Sequence, residues 1–283
     1  RGDAKDYRTI INIIFKYNPK YIFHTAAVPL AKIDNLNAKE TKEGSIDTTV
    51  NILECLNEFQ KKKKSNIERF VYISSSMVYG DFKKRVAKES DLCSPKEIYG
   101  SLKYAGEILV SAYSKRYSID SAICRPSAVY GPGDDNKRVI QSLMENALNG
   151  NPMKVYNGAE TFLDFTYVED TVDGFIKSIP GKKNIGETIN IGSGFEISVK
   201  QLTHKISKLI GKKVKIESQK DRLRPETSEV HRLCAHTAKA KKIIGWMPKY
   251  SSPKGFEKGL LKTIAWFSKK ENLNFYKTNI FSD

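Results

Sequence analysis

The sequence predicts an α/β protein: a doubly wound parallel sheet, with a smaller α+β region in the second half of the chain. Three observations carry this expectation. Short β-rich apolar runs alternate with longer helix-period stretches through the first half. The alternation stops after "YGPGDD" at 130–135, beyond which elements are shorter and mixed. At 283 residues the chain has room for one large domain or two ordinary ones. Strand–helix alternation implies parallel strands, because each return to the same sheet edge needs a crossover that leaves a helix on one face.

The strand runs, in order, are "YIFHTAA" at 21–27, "RFVYISSS" at 69–76, "SAICRPSAVYG" at 121–131, "MKVYN" at 153–157 and "ETINIGSG" at 187–194. Helical stretches fall near 41–60 and 95–117, between the first three. In the second of these Ile98, Leu102, Ala105, Leu109 and Ala112 make one apolar stripe, of the kind that faces a core. Further helices are expected near 137–149, 169–179, 198–210 and 253–268, and "ETINIGSG" is expected to return to the sheet. The chain accordingly divides into 1–130 and 131–283, the second part interleaved with the sheet of the first. No repeat or low-complexity linker separates them.

Hydrophobic residues at 40% and aromatics at 10% fit a globular protein. No apolar run approaches a membrane span, and "RGDAKDYRTI" is neither a signal nor a transit peptide, so a cytoplasmic protein is expected. The formal net charge of +16 raises the question of nucleic acid. The lysines are scattered, however, and the one dense run, "KKKK" at 61–64, sits where a solvated loop belongs. No helix-turn-helix, finger or aromatic RNA-binding signature accompanies it. A basic surface would equally draw in a phosphate-bearing small molecule. Cys55, Cys93, Cys124 and Cys234 show no CxxC pairing, and His24, His204, His231 and His236 lack metal-ligand spacing, so free thiols and no metal are expected.

The stretch "IYGSLKYAGE" at 98–107 places Tyr99 and Lys103 four apart on one helix face, beside Gly100 and Gly106, which a helix disfavours. An ammonium near a phenol lowers the phenol's pKa, and a phenol so tuned can take a proton from a sugar hydroxyl. The spacing alone also fits an exposed pair of no consequence. Upstream, "VYISSSMVYGD" is an apolar strand ending in serines, and "HTAAV" ends another strand in small residues. The C-terminal edge of a parallel sheet is where α/β proteins bind ligands. One element is missing: no GxGxxG or GxxGxxG occurs, and "GPGDD" and "GSGFE" both lack the third glycine. "RGDAKD" reads as the end of a strand followed by a helix start, so that either a glycine-rich first unit has been removed or this sheet never bound a dinucleotide.

Together, "GDAKD", "FHTAA", "ISSSMVYG", the Tyr99/Lys103 pair, "RPSAVYGPGD", "LDFTYVEDTVDG", "INIGSG" and "KAKKIIGWMP" resemble the extended short-chain dehydrogenase/reductase family. The resemblance is to its NAD-dependent nucleotide-sugar epimerases and dehydratases, those like UDP-glucose 4-epimerase, and covers essentially the whole chain. It implies a Rossmann-type sheet over 1–130, short of its first β-α-β unit, and a substrate-binding region over 131–283. It also implies a homodimer acting on a nucleotide-diphosphate sugar, with NAD as cofactor. By the same resemblance Ser75 binds the reacting sugar oxygen, Tyr99 is the acid/base, and Lys103 holds the nicotinamide ribose and tunes Tyr99. Asp3 falls near the adenine, Thr25, Ala26 and Ala27 line the cofactor, and Pro126 and Ser127 lie along the nicotinamide. Ser76, Arg222 and Arg224 are expected at the substrate, with Arg232 a further candidate. Without the glycine-rich cradle this chain is expected to bind NAD poorly.

Departures from the family pattern bear on the reaction. Family 4,6-dehydratases carry acids directly after the catalytic hydroxyl, where this chain has Ser76 and Met77. Glu89 of "VAKESD" is read as solvated, Glu169 and Asp170 as helix caps, and Trp246 as core. Ser45, Ala128 and Leu163 replace the family's usual Asn, Asn and Arg. The expected activity is inversion at C4 through a transient keto-sugar, in surface polysaccharide synthesis. "INIGSGFEIS" and "RLRPETSEVHRL" look more like the dehydratase branch, which keeps 4,6-dehydration as the alternative. A non-catalytic dinucleotide sensor is the alternative from another class.

Overall fold

A computed structural model describes residues 2–28, 37–62, 66–81, 86–134, 138–156, 161–219 and 232–272. Strands β1 (Tyr21–His24), β2 (Arg69–Ile73), β3 (Ser121–Pro126) and β7 (Thr188–Ile191) form one wholly parallel sheet in the order β1-β2-β3-β7. "ETINIGSG" thus joins the sheet beside β3. Strands β4 (Ala128–Tyr130), β6 (Phe162–Tyr167) and β10 (Arg232–Leu233) make a second parallel set, to which β8 (Glu196–Ser198) adds antiparallel. A small pair joins β5 (Met153–Tyr156) to β9 (Ile216–Gln219).

Alternation along β2 and β3 decides what covers each face of the first sheet. Phe70, Tyr72 and Ile123 face a core built with α1 (Tyr7–Tyr17), α3 (Thr48–Lys62) and α4 (Ile98–Tyr117), the short α2 (Ala38–Lys42) preceding α3 in the chain. Val71, Ile73 and Cys124 face the other way, against α6 (Val168–Lys177), α8 (Ala238–Ile244) and Trp246. Trp246 is fully buried, and its indole N–H donates to the Asp170 carbonyl at 3.0 Å, so it is core as expected. A third core gathers Tyr130, Phe165, Tyr167 and Phe256 with α5 (Val139–Leu148), α7 (Val199–Ile210) and α9 (Pro253–Phe267).

Several expectations are corrected. The buried face of α4 is not the apolar stripe. Gly100, Lys103, Gly106, Glu107 and Val110 are buried, while Ile98 and Ala112 are exposed and Leu102, Ala105 and Leu109 half-buried. The glycines explain the reversal. A methyl at Gly100 would lie 2.6 Å from the Met77 carbonyl oxygen, and one at Gly106 only 2.0 Å from Tyr72 Oη. Their bare backbone lets α4 lie directly against the end of β2. Glu169 and Asp170 lie in the first turn of α6, where carboxylates suit the helix dipole, but the N-cap of that helix makes no side-chain hydrogen bond. Asp170 accepts from the Lys249 and Tyr250 amides at 2.9 and 2.8 Å, pinning a distant segment. Glu89 accepts from the Asn190 amide at 3.0 Å and so is tied to β7. Cys55, Cys93, Cys124 and Cys234 are free thiols, and among the described residues no helix is long and apolar enough to cross a membrane.

Candidate active site

The C-terminal ends of β1, β2 and β3 point the same way, and the chain leaves them at Thr25, Ser74 and Ser127. After β2, Ser75 takes an extended backbone and caps a 3-10 turn over Ser76–Tyr79, its Oγ accepting from the Met77 amide at 3.2 Å. Gly100 backs onto that turn, which carries α4 and Tyr99 to the strand end. The Ser75 hydroxyl stands at the Tyr99 phenol and favours its ionised form. Lys103, one turn further along α4, is buried; its Nζ donates to the Ile73 carbonyl at 2.7 Å and lies 5.9 Å from the Tyr99 ring centroid. Ser75, Tyr99 and Lys103 are therefore brought together.

The electrostatics differ from the sequence reading in one respect. Burial pushes the Tyr99 phenol up, not down; Arg138 and the Ser75 hydroxyl oppose this, and Glu97 reinforces it. The acidifying cation is Arg138, at the start of α5, rather than Lys103, whose head is turned to the β2 carbonyl. Lys103 itself is pushed down to about 8 by burial, with Glu107 pulling the other way. Nothing in the sequence flags Arg138 or Glu97, since neither belongs to a motif around Tyr99.

On the other side of the sheet end, Asp3 and Ala26 share a cleft of 710 Å³ with Gly2, Ala4, Lys5, Gly44 and Thr48. Its lining suits the adenosine half of a dinucleotide: a carboxylate for ribose hydroxyls, and small residues that leave room for a flat ring. Asp3 accepts from the Lys5 amide at 2.8 Å, which orients its carboxylate. Thr25 is exposed, and Ala26 and Ala27 are half-buried. Ser45 accepts from the Val28 amide at 3.3 Å, shaping the loop after β1. The residues lining this cleft thus fit the adenosine end of NAD.

Other expected site residues are placed differently. Ser127 is buried, with its hydroxyl donating to Asp164 Oδ2 at 3.2 Å and its backbone N–H to the Ile191 carbonyl at 3.0 Å, so neither donor is left for a ligand. Pro126 ends β3 and is half-buried. Ser76 is buried within the 3-10 turn, and Met77 is half-buried. Arg232 is engaged by Glu196, its Nε donating to Oε2 at 2.7 Å and its Nη2 to Oε1, so it is not a spare cation. Arg222 and Arg224 lie outside the described residues.

Residues 1–259 match the family model described as GDP-mannose 4,6 dehydratase. The chain belongs to the nucleotide-sugar epimerase/dehydratase family. Within this family, which is part of the extended short-chain dehydrogenase/reductases, both reactions appear among its relatives. It is 28% identical to a UDP-glucuronate 4-epimerase of Thermodesulfobacterium geofontis over 98% of this chain and 80% of the relative. It is 26% identical to a dTDP-glucose 4,6-dehydratase of Haemophilus influenzae over 94% of this chain and 81% of the relative. Among solved structures, the UDP-glucuronic acid 4-epimerase of Bacillus cereus, in complex with UDP-glucuronic acid and NAD, superposes with a TM-score of 0.80 at 25% identity. That match covers 92% of this chain and 79% of the other.

Proposed function

We propose that this family member is an NAD-dependent nucleotide-sugar epimerase that inverts C4 through a transient keto-sugar. One observation carries the choice of epimerisation: the turn after Ser75 presents a buried serine and a thioether, with no carboxylate at 76 or 77. Elimination of water across two sugar carbons needs a proton donor for the departing hydroxyl, and neither side chain titrates usefully near neutrality. Glu89, the nearest alternative by sequence, is held at β7 by the Asn190 amide.

In this reading NAD, when bound, supplies the hydride acceptor and returns the hydride, so no net NADH forms. Ser75 and Tyr99 grip the C4 oxygen, and Tyr99, once ionised, takes its proton as the C4–H bond breaks. The Tyr99 phenol is held protonated by burial in the unliganded protein, and Arg138 is the charge on the chain that favours its ionisation. Lys103 holds the nicotinamide ribose beside the Ile73 carbonyl. Inversion then needs only that the keto-sugar turn over before the proton and hydride return.

One observation favours 4,6-dehydration as a second reading: the Glu97 carboxylate acts on Tyr99 and is the acid nearest the phenol in sequence. Incubating the protein with NAD and UDP- or dTDP-hexoses, with products weighed by mass spectrometry, separates the two. An epimer keeps the substrate mass. A product lighter by one water would overturn the epimerase reading.

The same proposal covers the setting. The half-exposed apolar stripe of α4, with Ile98 and Ile108 more than half exposed, supports a homodimer through that helix. A cytoplasmic role in surface polysaccharide synthesis fits a basic protein that takes anionic sugar nucleotides.

A further inference from the structure

Lys103 has its ammonium head buried at the end of β2, where burial pushes its pKa down to about 8. The charged and titratable groups around it are Tyr99 and Glu107 on its own helix, Tyr72 on β2, and His24 on β1. Burial pushes the Tyr72 and Tyr99 phenols up, so neither supplies a negative charge near neutrality, and the His24 imidazole, pushed down to about 4, is uncharged there. The remaining group is Glu107, one helical turn from Lys103, where i and i+4 side chains are neighbours.

Glu107 is itself held with unusual completeness. Arg125 on β3 grips it with both branches of its fork, Nε to Oε1 at 2.8 Å and Nη2 to Oε2 at 2.6 Å, and both side chains are buried. The Ser74 hydroxyl donates to Oε1 as well. The guanidinium lies 4.7 Å from the Tyr79 ring centroid, and Tyr79 in turn donates to Asn190 at 2.8 Å. Burial works against Arg125, yet the Glu107 hydrogen bonds hold it above its ordinary range. Thus α4 and the ends of β2 and β3 meet at one carboxylate, and β7 is linked to its Arg125 partner through Asn190 and Tyr79.

We propose that Glu107 is a positioning residue for the Tyr99–Lys103 pair: clamped by Arg125 and Ser74, its carboxylate keeps Lys103 an ammonium at the Ile73 carbonyl. Arg125 is the counter-ion that allows a carboxylate to be buried there at all. The inference rests on the reading of Lys103 as a cofactor-holding residue, but its protonation is measurable without substrate.

The test is an NMR titration of the Lys103 Nζ resonance, assigned by its loss in Lys103→Met, beside the pH profile of kcat/KM. In Glu107→Gln the Lys103 midpoint falls from about 8 by roughly one to three pH units, and the alkaline limb of the profile moves with it. Because Glu107→Gln leaves Arg125 buried and unpaired, the double variant Glu107→Gln/Arg125→Met serves as the second test; removing both charges can be tolerated in stability. The double variant folds and still shows the lowered midpoint. A folded double variant with the wild-type Lys103 midpoint would overturn the proposal and leave the pair a structural tie. An unchanged midpoint in the single variant would do the same. If the NMR midpoint moves while no sugar substrate is turned over, it is the epimerase reading that fails, not this one.

Discussion

Gly106→Ala sets helix propensity against packing, and the structure decides the sign. Alanine in place of glycine inside a helix is favourable by about 1 kcal/mol. Here the added methyl would lie 2.0 Å from Tyr72 Oη and 2.6 Å from its Cζ. Ordinary contact is about 3.5 Å, so roughly 1.5 Å of separation must be found. Tyr72 cannot supply it: the side chain is 3% exposed, its ring centroid is 5.9 Å from that of His24, and its hydroxyl reaches the Lys103 carbonyl at 3.3 Å. The helix must therefore lift. Overpacking costs about 1–3 kcal/mol, which leaves a net loss of up to about 2 kcal/mol once propensity is set against it. Lifting α4 also draws Lys103 Nζ away from the Ile73 carbonyl, now at 2.7 Å. Misplacement of about 1 Å can cost on the order of 100-fold in turnover. Urea unfolding followed by circular dichroism reads the first effect and steady-state kinetics the second. Adding Tyr72→Phe removes the closest contact and recovers part of the stability. A Gly106→Ala protein more stable than wild type by the propensity increment, with normal turnover, would refute the close-packing argument.

Three further outcomes are expected. Tyr99→Phe keeps the ring and loses the ionisable oxygen, so turnover falls by about 10²- to 10⁴-fold while substrate binding, measured by calorimetry, persists; near-normal turnover removes Tyr99 from the chemistry. His24, ordinarily near 6.5, is pushed down to about 4 by burial first and Lys103 second. Its folded value being the lower, its contribution is complete above pH 6.5 and is lost as pH falls toward 4, at up to about 1.4 kcal/mol per pH unit. His24→Gln should flatten that part of the acid limb in urea unfolding, and an unchanged slope would mean the ring is not held neutral. Asp164→Ala deprives the Ser193, Gly194 and Ala235 amides of their acceptor, now at 2.8, 3.2 and 3.0 Å. A loss of about 3 kcal/mol or more is expected in thermal unfolding, and a loss below about 1 kcal/mol would show that the loop re-pairs.

The parts legible in the sequence are those encoded by local pattern. The strand runs around 21–24, 69–73 and 121–126 announce themselves by β-branched and aromatic residues between turn signals, and all three lie in the parallel sheet. The Tyr99/Lys103 spacing was likewise enough to put both side chains on one face, and the serine cluster marked the strand end they meet. What could not be read is what depends on residues meeting across elements. Glu107 and Arg125 are 18 residues apart on a helix and a strand, and nothing local couples them. The apolar stripe of α4 misled because binary patterning assumes that the buried face is apolar. At this strand end the buried face is instead two glycines, an ammonium and a carboxylate, with Val110 beyond them. Asp164 lay inside a recognised motif, but its acceptor role comes from amides more than 25 residues downstream.

The chain has only two tryptophans, and they fall in different cores. Trp246 is sealed among Val71, Ile73, Cys124, Ile189 and Ile191 behind the parallel sheet. Trp266 packs against the cluster that joins β4 and β6 to α5, α7 and α9. Both tryptophans lie beyond residue 130, yet each reports on a different core, Trp246 on the one behind the parallel sheet and Trp266 on the one around β4 and β6. Trp246→Phe leaves an emitter that watches only the second core, and Trp266→Phe leaves one that watches only the sheet. Superimposable emission melts would mean that the two cores come apart as a single cooperative unit. Separate midpoints would give each core its own stability, read with light from an unlabelled protein.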